Sequence, residues 1–371
     1  MKDYRFYLQN PASKEGNYLV DEILFQSKDA KKGGAHFAFM SSGGIDLLFK
    51  DERFISFIKD NHFFLTVGVD AITDEKALNE ILKFNKKYAN LVIKFFITEA
   101  KNSIFHPKFI WFQKEKHYVH IVGSGNLTAG GLRWNVEAYS TYICSVEKQN
   151  EIYNWEKFLT ENTDFLFDHD NERVKLALKR NTENRKILAK IAKDKSIIMD
   201  EDAVKDEIPE PHPDNTILIA EISKNGDRLQ QVNFDKDNFF NFFDATNDQD
   251  EATYNLFFEV NKDGLMQEKE IRPAVVVKSH NYRFELNAVK GMKYPEEGKP
   301  IGVFLKIAAK SFLYMVVLPK ENAHSVLDEF LTEKLGISSN RMRRIRIKAE
   351  EIRTRMPDLP IWVRTILADH I

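Results

Sequence analysis

Short apolar runs and helix-period stretches alternate through the first half of this chain. Residues 18–28 read as a helix, KKGG at 31–34 as a turn and HFAFMS as a strand. Gly43-Gly44 opens a helix that continues to about Ile58. FFLTVGVD is the next strand, and Thr73 with Glu75 caps a helix carried by KALNEILKF. NLVIKFFI has the near-continuous apolar character of a buried strand. FHPKFIWF, HYVHIV and EAYSTYICSV follow as further strands. Residues 151–193 are helical in period, with a core-packing stripe of Trp155, Phe158, Leu159, Val174, Leu178, Ile187, Leu188 and Ile191. Strand alternating with helix predicts an α/β architecture, a mixed sheet with flanking helices.

The pattern changes at 194–215, DKSIIMDEDAVKDEIPEPHPDN, which is acidic, holds three prolines and sustains no period. It divides the chain into a first domain at 1–193, a linker at 194–215 and a second domain at 216–371. The second domain is rich in short strands: TILIAEIS, QQVNF, TYNLFFEV, PAVVVKS, YRFELN, GVFLKIA and FLYMVVL. Turn signals separate them. DNFFNFF is a short helix, and ENAHSVLDEFLTEKLG is a longer one that stops at Gly336. Many close-spaced strands predict a mainly β domain, a small barrel or pseudobarrel. In RMRRIRIK, alternation sets Arg344, Arg346 and Lys348 opposite Ile345 and Ile347, the pattern of a half-buried edge strand.

Composition changes this picture little. The chain has 371 residues, 43% hydrophobic and 30% charged, as an ordinary globular protein has. Its single cysteine, Cys144, excludes an internal disulfide framework and reads as a buried thiol. No apolar run is long enough to span a bilayer, and the start, MKDYRFYLQNPASKEG, lacks a signal-peptide core, so a cytoplasmic location is the default. The net charge is −2, but it is uneven: residues 1–195 hold 30 basic and 26 acidic side chains, 196–215 hold 1 and 7, and 216–371 hold 23 of each. A basic footprint for nucleic acid would have to be local.

Candidate chemistry concentrates between His106 and Glu137. His106 and Lys108 are two apart in a strand-like run, so both project into one site. Gly123-Ser124-Gly125-Asn126 follows the next strand, where small residues let backbone amides, a hydroxyl and a carboxamide approach an anion. Glu137 opens the strand after that. A histidine, a fixed cation, neutral donors and a carboxylate suit phosphoryl transfer without a metal. There is no HExxH, DxD or dense carboxylate set with metal spacing. His117 and His120 read as structural, and His212 as a linker residue.

H-x-K, then G-S-x-N-L-T, then G-L-x-x-N-x-E resembles the phospholipase D superfamily, through His106, Lys108, Ser124, Asn126, Asn135 and Glu137. The usual pattern has an Asp five residues after the Lys, where this chain has Gln113. Glu137 is the local carboxylate for orienting the histidine. AEISKNGDRLQQVNFDKDNFFNFF and VVVKSHNYRFELN are similar to the recognition domain of restriction endonucleases of the BfiI and NgoFVII type, a pseudobarrel like that of plant transcription factors. That resemblance implies a metal-independent, sequence-specific DNA endonuclease. Lys224, Asn225, Asp227, Arg228 and Gln230 form one polar arm toward double-stranded DNA, and Lys278, Ser279, His280, Asn281, Tyr282 and Arg283 a second. As bare residues, both arms also read as solvated hairpin turns.

The resemblance further implies no cofactor, a homodimer through the first domain, a cognate methyltransferase as system partner and no membrane. The acidic linker is expected either to shield the nuclease site as a DNA mimic or to act only as a tether. Three alternatives stand beside this reading. One is an enzyme of the same superfamily acting on phospholipid or RNA. Another is a nuclease subunit that needs a separate ATP-driven translocase, since the chain has no Walker motif. The third is a DNA-binding regulator whose nuclease-like domain only dimerises.

Overall fold

The computed structural model describes residues 3–98, 103–146, 150–194, 208, 211–224, 229–245, 254–276, 282–337 and 341–362. The chain divides into two compact units, Met1–Pro11 with Gly16–Ile208, and Ala12–Glu15 with Pro209–Ile371.

The first unit is a mixed α/β layer. Its strands are β1 (Asp3–Gln9), β2 (Lys32–Phe37), β3 (His62–Gly68), β4 (Leu91–Phe96), β5 (Lys108–Gln113), β6 (His117–Gly123), β7 (Glu137–Ser145) and β8 (Leu166–Phe167). They form one sheet in the order β1-β7-β6-β5-β2-β3-β4-β8. β2, β3 and β4 run parallel, and their crossovers hold α2 (Ser42–Phe49), α3 (Glu52–Asp60) and α4 (Glu75–Lys87). The remaining pairs are antiparallel. α1 (Leu19–Ser27) precedes β2, while α5 (Asn150–Glu161) and α6 (Glu172–Asp194) follow β7.

Both faces of the central strands are covered, which is why Phe109 to Phe112 of β5 are all buried. Phe57 of α3 packs on Phe112 from one side, ring centroids 5.6 Å apart. From the other side Trp155 of α5 stacks on His36, at 4.6 Å, and on Phe109. His36 is buried there, and loss of solvent pushes its pKa down to about 3, so it stays neutral.

Several local expectations are corrected. The KKGG stretch does not turn the chain: Lys32, Gly33 and Gly34 lie inside β2. The two glycines leave room for rings, since a Cβ on Gly33 would lie 2.8 Å from the Phe112 ring and one on Gly34 2.7 Å from Trp111. The helix from Gly43 is two helices, because Asp51 caps α3 by accepting from the Arg53 backbone N–H at 2.9 Å. Asp74, not Thr73, caps α4, accepting from Ala77 at 2.8 Å. Thr73 instead ties loops together, donating to the Gly68 carbonyl at 2.9 Å and accepting from Met40 N–H at 3.2 Å. The helical stretch at 151–193 is interrupted by a 3-10 turn at Thr163–Phe165 and by β8. β1 was not anticipated.

The second unit is mainly β. β9 (Thr216–Glu221), β11 (Tyr254–Val260), β12 (Met266–Pro273), β15 (Ile301–Ala308), β16 (Ser311–Val317) and β17 (Arg344–Lys348) make a six-stranded sheet, ordered β12-β11-β16-β15-β9-β17. β10 (Gln231–Phe234), β13 (Val275–Val276) and β14 (Tyr282–Glu285) make a second sheet, ordered β10-β14-β13. The core between them is largely phenylalanine, with Phe234, Phe243, Phe257, Phe284, Phe304 and Phe312 among its buried members. A helix at Asn322–Leu335 ends at Gly336, whose φ of 78° suits glycine. β12, too polar to be noticed in the sequence, is an edge strand.

Candidate active site

All five residues expected to carry the chemistry line one open cleft of about 790 Å³: His106, Lys108, Ser124, Asn126 and Glu137. They come from the entry to β5, the turn after β6 and the start of β7. His106 lies outside the strand that the sequence suggested. Pro107, with no N–H to give a ladder, delays β5 to Lys108. The pair still meets: the Lys108 ammonium is 2.9 Å from both ring nitrogens of His106. Partial burial and then the Lys108 charge lower the His106 pKa below the ordinary imidazole value. Phe39 braces the imidazole edge-on at 5.7 Å.

Two amides at and just after the Gly-Ser-Gly-Asn turn are held inside the fold. The Ser124 N–H donates to Ala138 O at 2.9 Å and the Leu127 N–H to Phe39 O at 3.2 Å, so both amides are committed inside the fold. Gly123 makes room for β7, and Gly125 for the turn at Gly130–Trp134: a Cβ on Gly125 would lie 2.5 Å from the Gly131 carbonyl. Polar side chains reach the cleft from here. Asn126 is only 5% exposed, and its buried Oδ1 has no hydrogen-bond partner in the structure. That oxygen is an acceptor and calls for a donor; the Nδ2 hydrogens are what a phosphate oxygen would take. Glu137 accepts from the Ser124 hydroxyl in a short hydrogen bond and from Asn135 Nδ2 at 3.5 Å.

Sequence reasoning missed Gln9. Its side chain is fully buried and donates to Asn135 O at 2.9 Å and Gly131 O at 3.3 Å, while accepting from Leu19 N–H at 2.8 Å. It holds the turn that carries Asn135 toward Glu137. A lone Gln at a strand end gives no signal, because the turn it holds, at Gly131 and Asn135, is more than a hundred residues away. Gln113 sits at the far end of β5, paired with Lys32 and Tyr118, and is not among the cleft residues.

The expected DNA arms are described only at their bases. Asn225, Asp227, Arg228, Lys278, Ser279, His280 and Asn281 lie outside the described residues, as do 195–207, 209 and 210 of the acidic linker. Lys224 is exposed beyond β9, and Gln230 is half-buried in a turn. Tyr282 packs its ring on Phe239, centroids 5.2 Å apart, so it belongs to the core. Arg283 donates to Gln231 Oε1 at 3.3 Å. The structure does not set the two bases side by side. β10 and β14 are antiparallel with Gln231 opposite Glu285 and Phe234 opposite Tyr282, so Gln230 and Tyr282 lie at opposite ends of the pair. The basic run in β17 is neutralised by acids: Arg344 pairs with Asp235 and Lys348 with Asp214, each at 2.9 Å, and Arg346 with Asp237.

Among the described residues, no helix is long and apolar enough to cross a membrane, and no three His, Cys, Asp or Glu side chains converge to hold a metal. No family model matches the chain. No curated protein matches it significantly. Among solved structures it is similar to NucT from Helicobacter pylori, at 10% identity and a TM-score of 0.33, over 45% of this chain and 98% of that one. It is similar to Nuc, a phospholipase D family member from Salmonella typhimurium, at 14% identity and a TM-score of 0.33, over 46% and 100%. It is also similar to the yeast tyrosyl-DNA phosphodiesterase, at 13% identity and a TM-score of 0.29, over 38% of this chain and only 31% of that one.

Proposed function

We propose that this protein is a metal-independent phosphodiesterase acting on double-stranded DNA, a sequence-specific endonuclease of restriction type. The observation that carries the reading is the convergence, in one cleft, of an imidazole, an ammonium, a carboxamide and a hydroxyl held by a carboxylate. The H-x-K and G-S-x-N-L-T spacing gives the same residues the phospholipase D pattern. His106 attacks the scissile phosphorus, the P–O3′ bond breaks, and a second histidine gives its proton to the departing oxygen. Water then attacks the phosphorus as the phosphorus–nitrogen bond breaks, the second histidine, now neutral, takes the water's proton, and His106 is regenerated. Lys108 and the Asn126 amide balance charge on the equatorial oxygens. Glu137 takes the one hydrogen of the Ser124 hydroxyl and fixes that side chain in the cleft, and it is the carboxylate nearest in role to an orienting group. The second histidine comes from a second copy, so the working enzyme is a homodimer. The second domain, residues 216–371, supplies recognition of the target sequence.

The test is a plasmid digest by purified protein in EDTA. Discrete fragments support the reading, and His106→Ala should lower cleavage by more than about 10³-fold while leaving DNA binding intact. Cleavage that needs added divalent metal overturns metal independence. Cleavage only when an ATP-driven translocase is added assigns the chain to an ATP-dependent restriction complex. DNA binding without cleavage under any of these conditions makes it a regulator with a nuclease-like scaffold.

A further inference from the structure

The groups that suit a phosphate are not the whole of the His106 cleft. Phe39, Ile72, Phe109, Val122 and Trp155 line it as well. Two of these, Phe39 and Trp155, are half-buried aromatic rings with packed neighbours. Trp155 lies nearly parallel to His36, ring centroids 4.6 Å apart, and to Phe109, at 5.6 Å. Phe39 meets the His106 imidazole edge-on at 5.7 Å. A phosphodiester is small and charged and is held by hydrogen-bond donors and cations, so rings and alkyl groups offer it nothing. The cleft, at about 790 Å³, also has room for far more than a phosphate. Sites of roughly 300–1,000 Å³ enclose organic ligands of drug size, and a nucleotide is of that size.

We propose that the rings of Phe39 and Trp155 form a nucleobase subsite, which takes the base of the nucleotide whose 5′-phosphate His106 attacks. In a nucleotide a charged group and an aromatic face are joined through one sugar. In this cleft a cationic, hydrogen-bonding edge and an aromatic wall are likewise joined, and Phe39 touches the nucleophile itself. Every base has a π-face, so stacking holds the nucleotide without reading its identity. The indole already packed on His36 and Phe109 loses little freedom when a base stacks on it. A duplex keeps its bases stacked inside. Cutting one here therefore requires the nucleotide on the 3′ side of the break to leave the stack. The phosphate at the polar edge rests on the phosphodiesterase reading; the aromatic lining and its packing do not.

The test measures binding to the full chain of two compounds that carry the same phosphate and contain no diester to cut. Thymidine 5′-phosphate should bind about tenfold or more tighter than deoxyribose 5-phosphate, within the range that stacking one base on an aromatic ring contributes. Trp155→Ala should remove most of that preference and leave deoxyribose 5-phosphate bound as before. Lys108→Met should weaken both compounds alike and leave the ratio. Should Trp155→Ala fail to fold, irradiation of the parent with 5-iodo-2′-deoxyuridine 5′-phosphate replaces it, and the base should become joined to Trp155 or Phe39. Equal binding of the two compounds, a preference that a folded Trp155→Ala keeps in full, or cross-linking only to residues away from the cleft overturns the subsite. So does a dimeric parent that Trp155→Ala turns into monomers, because the wall is then a protein contact. Equal binding in a protein that cuts DNA in EDTA removes the subsite and leaves the nuclease reading. A preference for the nucleotide in a protein that cuts no DNA leaves the subsite and removes the nuclease reading alone.

Discussion

An ammonium 2.9 Å from an imidazole is an electrostatic statement about which protonation state the site prefers. The cation and the partial loss of solvent both disfavour a charged His106, so its pKa lies below the ordinary value near 6.5. Neutral imidazole is the form a nucleophile needs. In a dimer that uses one His106 as nucleophile and the other as acid, the rate is greatest where one is neutral and one protonated. The profile of kcat/KM should therefore be a bell centred on the acid side of 6.5, falling at lower pH as the nucleophile protonates and at higher pH as the acid is lost. Lys108→Met should lower the rate and move the surviving bell upward, because the lowering charge is gone. A bell that keeps its centre in Lys108→Met would remove the lysine from any electrostatic role on His106. At this scale the sequence was most readable: residue types two apart across Pro107, and a hydroxyl, carboxamide and carboxylate at fixed offsets, were enough to assemble the cleft. The purpose of the glycines was not readable. Gly123 and Gly125 answer to Tyr139 and Gly131, partners that only the folded chain brings near.

At the level of elements, the site depends on how tightly one helix meets one loop. The N-terminus of α2 lies against the backbone just after Asn126: Ser41 N–H donates to Leu127 O at 3.0 Å, and Ser41 Oγ caps the helix at Gly44 N–H. A Cβ on Gly44 would overlap the Leu127 carbonyl and come within 2.6 Å of Thr128 N, and neither is a flexible side chain. Gly44→Ala should therefore push the Asn126 loop out of place. Overpacking of this sort costs about 1–3 kcal/mol, several degrees in Tm for a unit of this size. Cleavage should fall by more than DNA binding does, because Asn126 moves with the loop. An unchanged Tm would mean that helix and loop slide apart freely. The alternation of strand and helix, and with it the mixed sheet, was legible because period-2 and period-3.6 patterns are local. β1 and β12 were not. Each is an edge strand with polar residues on one face, so each lacks the buried run that announces a central strand.

Across the whole molecule, the two units have cores of their own. The second unit's core is a cluster of aromatic rings around Phe243, which is fully buried and has the rings of Phe234, Phe257, Phe284, Phe304 and Phe312 within 6 Å of its own. None of these residues lines the His106 cleft. Removing the ring leaves a cavity that costs about 3–5 kcal/mol in such a setting. If recognition belongs to the second unit and chemistry to the first, Phe243→Ala should separate them. Calorimetry should show one transition moved to lower temperature and a second unchanged. Above the first transition and below the second, the protein should still cut DNA in EDTA, but at scattered positions instead of at one sequence. Loss of all cleavage at the first transition would show that the catalytic cleft cannot stand without the second unit. Retention of site-specific cutting there would place recognition in the α/β unit.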